Sequence, residues 1–140
     1  TFGVELAADW RVQNWWRLRG SYSFVDVKLH IDPGNPLANG ESAEGHTPHH
    51  SAVLQSSVDV NDDISFDTTL RYVDSLSSLG VQDYLELDAR LAWRPAPGME
   101  LAITGRNLLH DRHQEFGEES LPINAASIPR TALVTFTVEF

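Results

Sequence analysis

The nine residues Leu85-Glu86-Leu87-Asp88-Ala89-Arg90-Leu91-Ala92-Trp93 decide the fold. Leu85, Leu87, Ala89, Leu91 and Trp93 fall on one side of an extended chain, and Glu86, Asp88, Arg90 and Ala92 on the other. Successive side chains of a strand point to opposite faces, so the pattern has the strand period of two. A helix would scatter the same leucines around its axis. The stretch predicts a strand with one apolar and one ionic face.

Working outward, six further stretches repeat the alternation. Val4, Leu6, Ala8 and Trp10 oppose Glu5, Ala7 and Asp9. Trp16, Leu18, Gly20, Tyr22 and Phe24 oppose Arg17, Arg19, Ser21 and Ser23. Ala52, Leu54, Ser56 and Val58 oppose Ser51, Val53, Gln55, Ser57 and Asp59. Ile64, Phe66, Thr68, Leu70 and Tyr72 oppose Ser65, Asp67, Thr69 and Arg71. Met99, Leu101, Ile103 and Gly105 oppose Glu100, Ala102, Thr104 and Arg106. Ala132, Val134, Phe136, Val138 and Phe140 oppose Thr131, Leu133, Thr135, Thr137 and Glu139. Each stretch has about 9–11 residues, the length that crosses a bilayer at a tilt.

The connections sort by length. Short links are expected at Arg11 to Asn14, at Asn61-Asp62-Asp63 and at Pro95-Ala96-Pro97-Gly98, where proline fixes φ and glycine permits reversal. Between them come a long loop over roughly residues 30–47, a medium one over 74–83 and a long one over roughly 109–128. Short turns at one end and long loops at the other are the pattern of outer-membrane barrels, whose short turns are periplasmic. Tryptophan sorts the same way: Trp10, Trp15, Trp16 and Trp93 all fall at the short-turn end. Tyr72 and Tyr84 fall at the long-loop end, which predicts two aromatic girdles at headgroup level.

Composition sets bounds around this reading. The 140 residues suit one domain, and the formal net charge of -10 argues against a nucleic-acid partner. Cysteine is absent, so no disulfide framework and no thiolate metal site is expected. Mean hydropathy is -0.26, and no apolar run reaches the roughly 20 residues of a spanning helix. A barrel strand escapes that test because only alternate residues meet lipid. The opening Thr1-Phe2-Gly3-Val4-Glu5 has no signal-peptide character and starts directly in a strand pattern. The chain is therefore expected to be a piece of an exported protein. Seven strands point the same way, since bacterial single-chain barrels have even counts and lipid does not tolerate open edges. The competing fold is a soluble β-sandwich or lipocalin-like barrel, in which the charged face would be the exterior. In a large barrel the same face, carrying Arg17, Arg19, Arg71, Glu86, Asp88, Arg90 and Arg106, lines the lumen.

Several motifs in order resemble the C-terminal part of TonB-dependent outer-membrane receptors. Phe2-Gly3-Val4-Glu5-Leu6 is similar to the family's "GxE" strand. Trp16-Arg17-Leu18-Arg19-Gly20-Ser21-Tyr22-Ser23-Phe24 and Leu70-Arg71-Tyr72-Val73 resemble two further barrel strands. Pro48-His49-His50 is similar to the "P-x-H" strand entry. Gly105-Arg106-Asn107-Leu108-Leu109-His110-Asp111-Arg112-His113 resembles the "NLfDkrY" motif that ends the penultimate strand. His110 is an insertion relative to it, and His113 stands where Tyr is usual, as in a His-x-Glu-Phe variant that His113-Gln114-Glu115-Phe116 resembles. Pro129-Arg130-Thr131 through Phe140 looks like the last strand.

The resemblance implies an antiparallel up-and-down transmembrane β-barrel of about 22 strands closed around a plug, with these seven as the last. It implies TonB-dependent active uptake of a scarce large ligand such as a ferric siderophore or cobalamin, across the outer membrane of a Gram-negative bacterium. The implied partners are outer-membrane lipid and lipopolysaccharide, the plug of the same protein, the TonB complex through an upstream segment, and the barrel-assembly machinery. The machinery would read the terminal Phe136, Val138 and Phe140 as an assembly signal. A passive porin-like or small structural barrel, or a soluble β binding module, is the alternative.

No nucleophile-elbow or metalloprotease motif is present, so no enzyme and no cofactor is expected. Glu86 and Asp88 could serve acid–base chemistry, but Arg90 beside them favours a lumenal charge ladder. The six histidines fall in or beside the two long loops. His46, His49 and His50 with Glu44 have the chemistry to bind zinc or copper, and His110 and His113 have Asp111 and Glu115 nearby. Loop polarity and the family motifs account for the same residues without a metal.

Overall fold

The computed structural model describes residues 1–29, 44–115 and 127–139. The alternating stretches form strands β1 (Phe2–Gln13), β2 (Trp16–Asp26), β3 (His50–Asp59), β4 (Ile64–Val73), β5 (Tyr84–Ala96) and β6 (Met99–Arg106). Two short strands follow, β7 (Arg112–Gln114) and β8 (Ser127–Pro129), and then β9 (Thr131–Val138). Seven strands make one sheet in the order β1-β2-β3-β4-β5-β6-β9, and every neighbouring pair is antiparallel. The seven-stranded, nearly all-β architecture expected from the sequence is the one observed.

Register shows why the alternation matters. Between β4 and β5, Tyr72 meets Leu85, Leu70 meets Leu87, Phe66 meets Leu91 and Ile64 meets Trp93. Between those pairs Arg71 meets Glu86, Thr69 meets Asp88 and Asp67 meets Arg90. The same rule carries Leu54 to Leu70, Trp16 to Val58, and Leu101 to Phe136. Apolar residues thus form one continuous face across seven strands, and charged and small polar residues form the other.

Burial is inverted relative to a water-soluble sheet. Val134 is 65% exposed, Phe136 62% and Leu6 63%, all on the apolar face. Ala92 at 0% and Ala102 at 3% are buried on the polar face, where they pair with each other between longer charged neighbours. A soluble protein hides its apolar face, and a monomer rarely leaves more than a few hundred Å² of contiguous apolar surface uncovered. A sheet that faces hydrocarbon does the opposite.

The short turns follow from local chemistry. Asn61 Oδ1 accepts the backbone N–H groups of Asp63 (2.9 Å) and Ile64 (2.8 Å), the side-chain turn that asparagine favours. β1 runs on to Gln13 with a register shift after Arg11, so only Asn14 and Trp15 remain in the turn. β5 likewise extends through Pro95 to Ala96 with a shift after Trp93, leaving Pro97-Gly98. Both links are tighter than the sequence suggests, because bulges let the ladder continue past residues that read as turn formers. Gly98 has φ 74°, and a Cβ there would lie 2.8 Å from the Glu139 carbonyl oxygen. Gly98→Ala is expected to cost about 1–2 kcal/mol of folding free energy in lipid. Urea titration in vesicles checks this; an unchanged midpoint would rule out the left-handed turn.

Trp10, Trp16 and Trp93 stand on the apolar face at the short-turn end, as register with Leu18, Val58 and Ile64 requires. The Trp16 indole N–H donates to Ser56 Oγ at 3.0 Å, which satisfies it on a face that has few other acceptors. Tyr84 departs from the expected girdle. It pairs with Val73 and shares the face of Glu86, while Tyr72 pairs with Leu85 on the apolar face. Adjacent pairs along one ladder point opposite ways, so the two tyrosines cannot share a belt.

Candidate functional site: the polar face and its hairpin

The predicted ionic residues Arg17, Arg19, Arg71, Glu86, Asp88, Arg90 and Arg106 all lie on the polar face by register. Several neighbours there pair opposite charges. Arg17 and Arg19 bracket Asp9: Arg17 Nε donates to Asp9 Oδ1 at 2.8 Å, and Arg19 Nε lies 3.8 Å from Oδ2. Arg90 reaches Glu100 at 2.5 Å and Asp67 at 3.7 Å, and Arg94 reaches the other Glu100 oxygen at 3.2 Å. Most of these side chains are a third to a half exposed, so each pair contributes little stability on its own. Their arrangement is a ladder of mixed charge that a polar partner or water can meet.

The end of β6 is built by Asn107. Its φ of 56° is left-handed, which asparagine tolerates better than other side chains carrying a Cβ. Its backbone N–H donates to Asp88 Oδ1 at 2.9 Å, and its side-chain amide donates to the Pro129 carbonyl at 3.1 Å. Arg130 pairs with Asp111 at 3.0 Å, and its backbone N–H donates to the Asp111 carbonyl at 2.8 Å. The conspicuous Asn-Leu…Asp run is therefore a clamp. It stops β6, turns the chain and ties it to the entry of β9. The stretch expected to be one long loop contains the β7–β8 ladder, in which Arg112 meets Pro129, His113 meets Ile128 and Gln114 meets Ser127. Three-residue strands of mixed polarity leave no alternation to read.

That clamp swings β7 over the polar face. His113, with its side chain only 7% exposed, places Nε2 2.9 Å from Glu115 Oε1 and Nδ1 3.2 Å from Glu86 Oε1. His110 Nδ1 lies 2.5 Å from the same Glu86 oxygen. Arg71 Nη2 donates to Glu115 Oε1 at 2.8 Å, and its guanidinium sits 5.6 Å over the Tyr84 ring. The Tyr84 and His113 rings lie 4.5 Å apart. Glu86, Arg71, Tyr84, His110, His113 and Glu115 form one cluster drawn from β4, β5 and the hairpin. Glu86 and His110 are 24 residues apart and their meeting depends on the Asn107 turn, so sequence spacing carries no sign of it.

The other named residues are dispersed. His50 opens β3 on the apolar face, where Nδ1 lies 2.8 Å from the Tyr22 hydroxyl and the ring lies 5.1 Å from Phe24. His49 offers its backbone carbonyl to the Val25 N–H. The structure does not gather His46, His49 and His50 into one site, and no set of three or more metal-type ligands occurs among the described residues. Phe136 and Val138 stand on the apolar face opposite Leu101 and Met99. Phe140 lies outside the described residues.

Known proteins share this fold. Residues 1–108 match the family described as TonB dependent receptor-like, beta-barrel. The chain is 26% identical over 148 residues to the catecholate siderophore receptor Fiu of Escherichia coli K12, and equally to that of strain O157:H7. The match covers 99% of this chain and 19% of each relative, so the chain spans about a fifth of their length. Two crystal structures of the ferric-catecholate import receptor Fiu from E. coli K12 superpose on 99% of the chain. The closed form does so with a TM-score of 0.75 at 23% identity, and the open form with 0.72 at 22%. The chain covers 20% of each, and the likeness establishes a shared fold. With an antiparallel sheet whose apolar face is exposed and a family match over residues 1–108, the chain belongs to the TonB-dependent receptor-like β-barrel family.

Proposed function

We propose that this chain is a C-terminal wall segment of an outer-membrane transporter that takes up a ferric siderophore of the catecholate type into a Gram-negative cell. The observation that carries the reading is the inverted burial of a sheet matched along nearly its whole length to catecholate receptors. The apolar face meets lipid and, at the outer rim, lipopolysaccharide. The ionic face, with Arg17, Arg19, Arg71, Glu86, Asp88, Arg90 and Arg106, meets the lumen and the plug of the same protein. In the full receptor the free edges of β1 and β9 find partner strands, because an unpaired edge in hydrocarbon costs several kcal/mol for each bare backbone group. Phe136, Val138 and Phe140 serve the barrel-assembly machinery, and the TonB complex acts through an upstream segment. The chemistry of this segment is recognition and passage.

Uptake of iron-55 by a strain carrying only the full-length receptor tests this. Iron loaded on a catecholate siderophore is expected to enter at least about tenfold faster than in the receptor-deleted strain, and only when TonB is present. Equal uptake with and without the receptor overturns the catecholate assignment. Uptake that persists without TonB overturns active transport and favours a passive pore.

A further inference from the structure

Buried apolar side chains are few in this chain. Among the described residues they are Ala92 and Ala102 on the polar face, and Leu76 and Val81 in the loop between β4 and β5. Loops that run over a surface leave most of their side chains in solvent. This one buries a leucine (8% exposed) and a valine (3%), so it is packed against something. Leu76 and Val81 close it as an isolated antiparallel bridge, and each N–H donates to the other's carbonyl, at 2.9 and 3.2 Å. Between them Ser77–Leu79 form a single 3-10 turn.

The end of the preceding long loop is pressed against that turn. Residues 44–46 make a short 3-10 turn of their own. A Cβ on Gly45 would lie 2.7 Å from the Ser78 backbone nitrogen, and closer still to the Ser77 and Ser78 hydroxyls. The hydroxyls can rotate aside, but the backbone nitrogen cannot. Only glycine lets the two segments approach this closely. Both segments are also tied to the sheet. The Glu44 side chain accepts the N–H of Leu29, just beyond β2. The Val25 N–H donates to the His49 carbonyl at 2.9 Å, and the Asp74 N–H donates to the His50 carbonyl at 2.9 Å. The two segments therefore leave the sheet side by side at the start of β3.

We propose that residues 44–48 and 74–83 form a latch that joins two neighbouring loops into one rigid lip at the long-loop end of the sheet. Gly45 is its seat against Ser77 and Ser78, Leu76 and Val81 are its buried side chains, and the bonds from Glu44 and Asp74 are its anchors. The two segments then open together as one cooperative unit. A ligand that arrives at this lip meets a surface already ordered, and binding there loses less conformational freedom than binding to two independent flaps. The inference stands on the loop geometry alone, whatever ligand the full receptor carries.

Hydrogen exchange followed by mass spectrometry, on the full-length receptor in nanodiscs, tests the latch. Gly45→Ala is expected to speed exchange of the 74–83 segment by at least about tenfold, because the added methyl group parts the two turns, and to leave β3 and β4 unchanged. The coupling is expected in the other direction too. Val81→Ala empties part of the buried pair, and a spin label at Thr47→Cys is then expected to lose the immobilised component of its spectrum. Unchanged exchange over 74–83 in Gly45→Ala overturns the proposal. So does a Thr47 label indifferent to Val81→Ala, and so does exchange that accelerates equally throughout β3 and β4.

Discussion

Leu87→Arg lowers the folding free energy of the full receptor in lipid by about 2–4 kcal/mol, whereas Asp88→Asn at the next position changes it by less than about 1 kcal/mol. Leu87 lies on the apolar face opposite Leu70, which in turn meets Leu54. It stands six residues before Trp93 at the short-turn end. That is about 20 Å along the strand and about 15 Å along the normal of a strand tilted near 40°. Leu87 is therefore close to the middle of an apolar band about 25 Å tall, where a guanidinium costs most. Asp88 points the other way, and its Oδ1 accepts the Asn107 N–H, a bond that an asparagine oxygen can still accept. Urea titration in lipid vesicles measures both. Equal losses would mean that the facing assignment of β5 is wrong.

Asn107→Ala is expected to cost about 2–3 kcal/mol, and Asn107→Gly about half as much. Alanine adds the strain of a φ near 56° and also removes the amide that donates to the Pro129 carbonyl. Glycine removes only the second contribution. The loss should localise, with amide exchange accelerating at Leu108, whose N–H donates to the Leu87 carbonyl, and at Arg130, whose N–H donates to the Asp111 carbonyl. If glycine costs as much as alanine, the backbone at this position is unstrained and the clamp is side-chain chemistry alone.

The sheet was legible in the sequence because each of its strands has to serve two solvents. Leu85 to Trp93 can satisfy lipid on one side and water on the other only by strict alternation, and the eye finds that period at once. The tryptophans were legible for the same reason, since Trp10, Trp16 and Trp93 mark where one solvent ends. Tyr84 misled because position along a strand gives height but not facing; its parity with Glu86 places it on the polar face. The site was legible only in part. The shared face of Arg71, Glu86 and Asp88 follows from period two. The meeting of Glu86 with His110 and His113 does not, because it is produced by one left-handed residue and two strands of three residues each. The bulges at Arg11 and after Trp93 were hidden as well, since a strand that continues through Pro95 looks like a turn until its register is known.

The inverted faces also bear on how the strands find their register. A slip by one residue between β4 and β5 would exchange the two faces and thrust Glu86, Asp88 and Arg90 into hydrocarbon. Several such charges at a few kcal/mol each exceed the margin that keeps most proteins folded. The bilayer thus proofreads the pairing. β3, with Ser51, Ala52, Ser56 and Ser57, has few side chains bulky enough to enforce its own alignment, and it depends most on that editor.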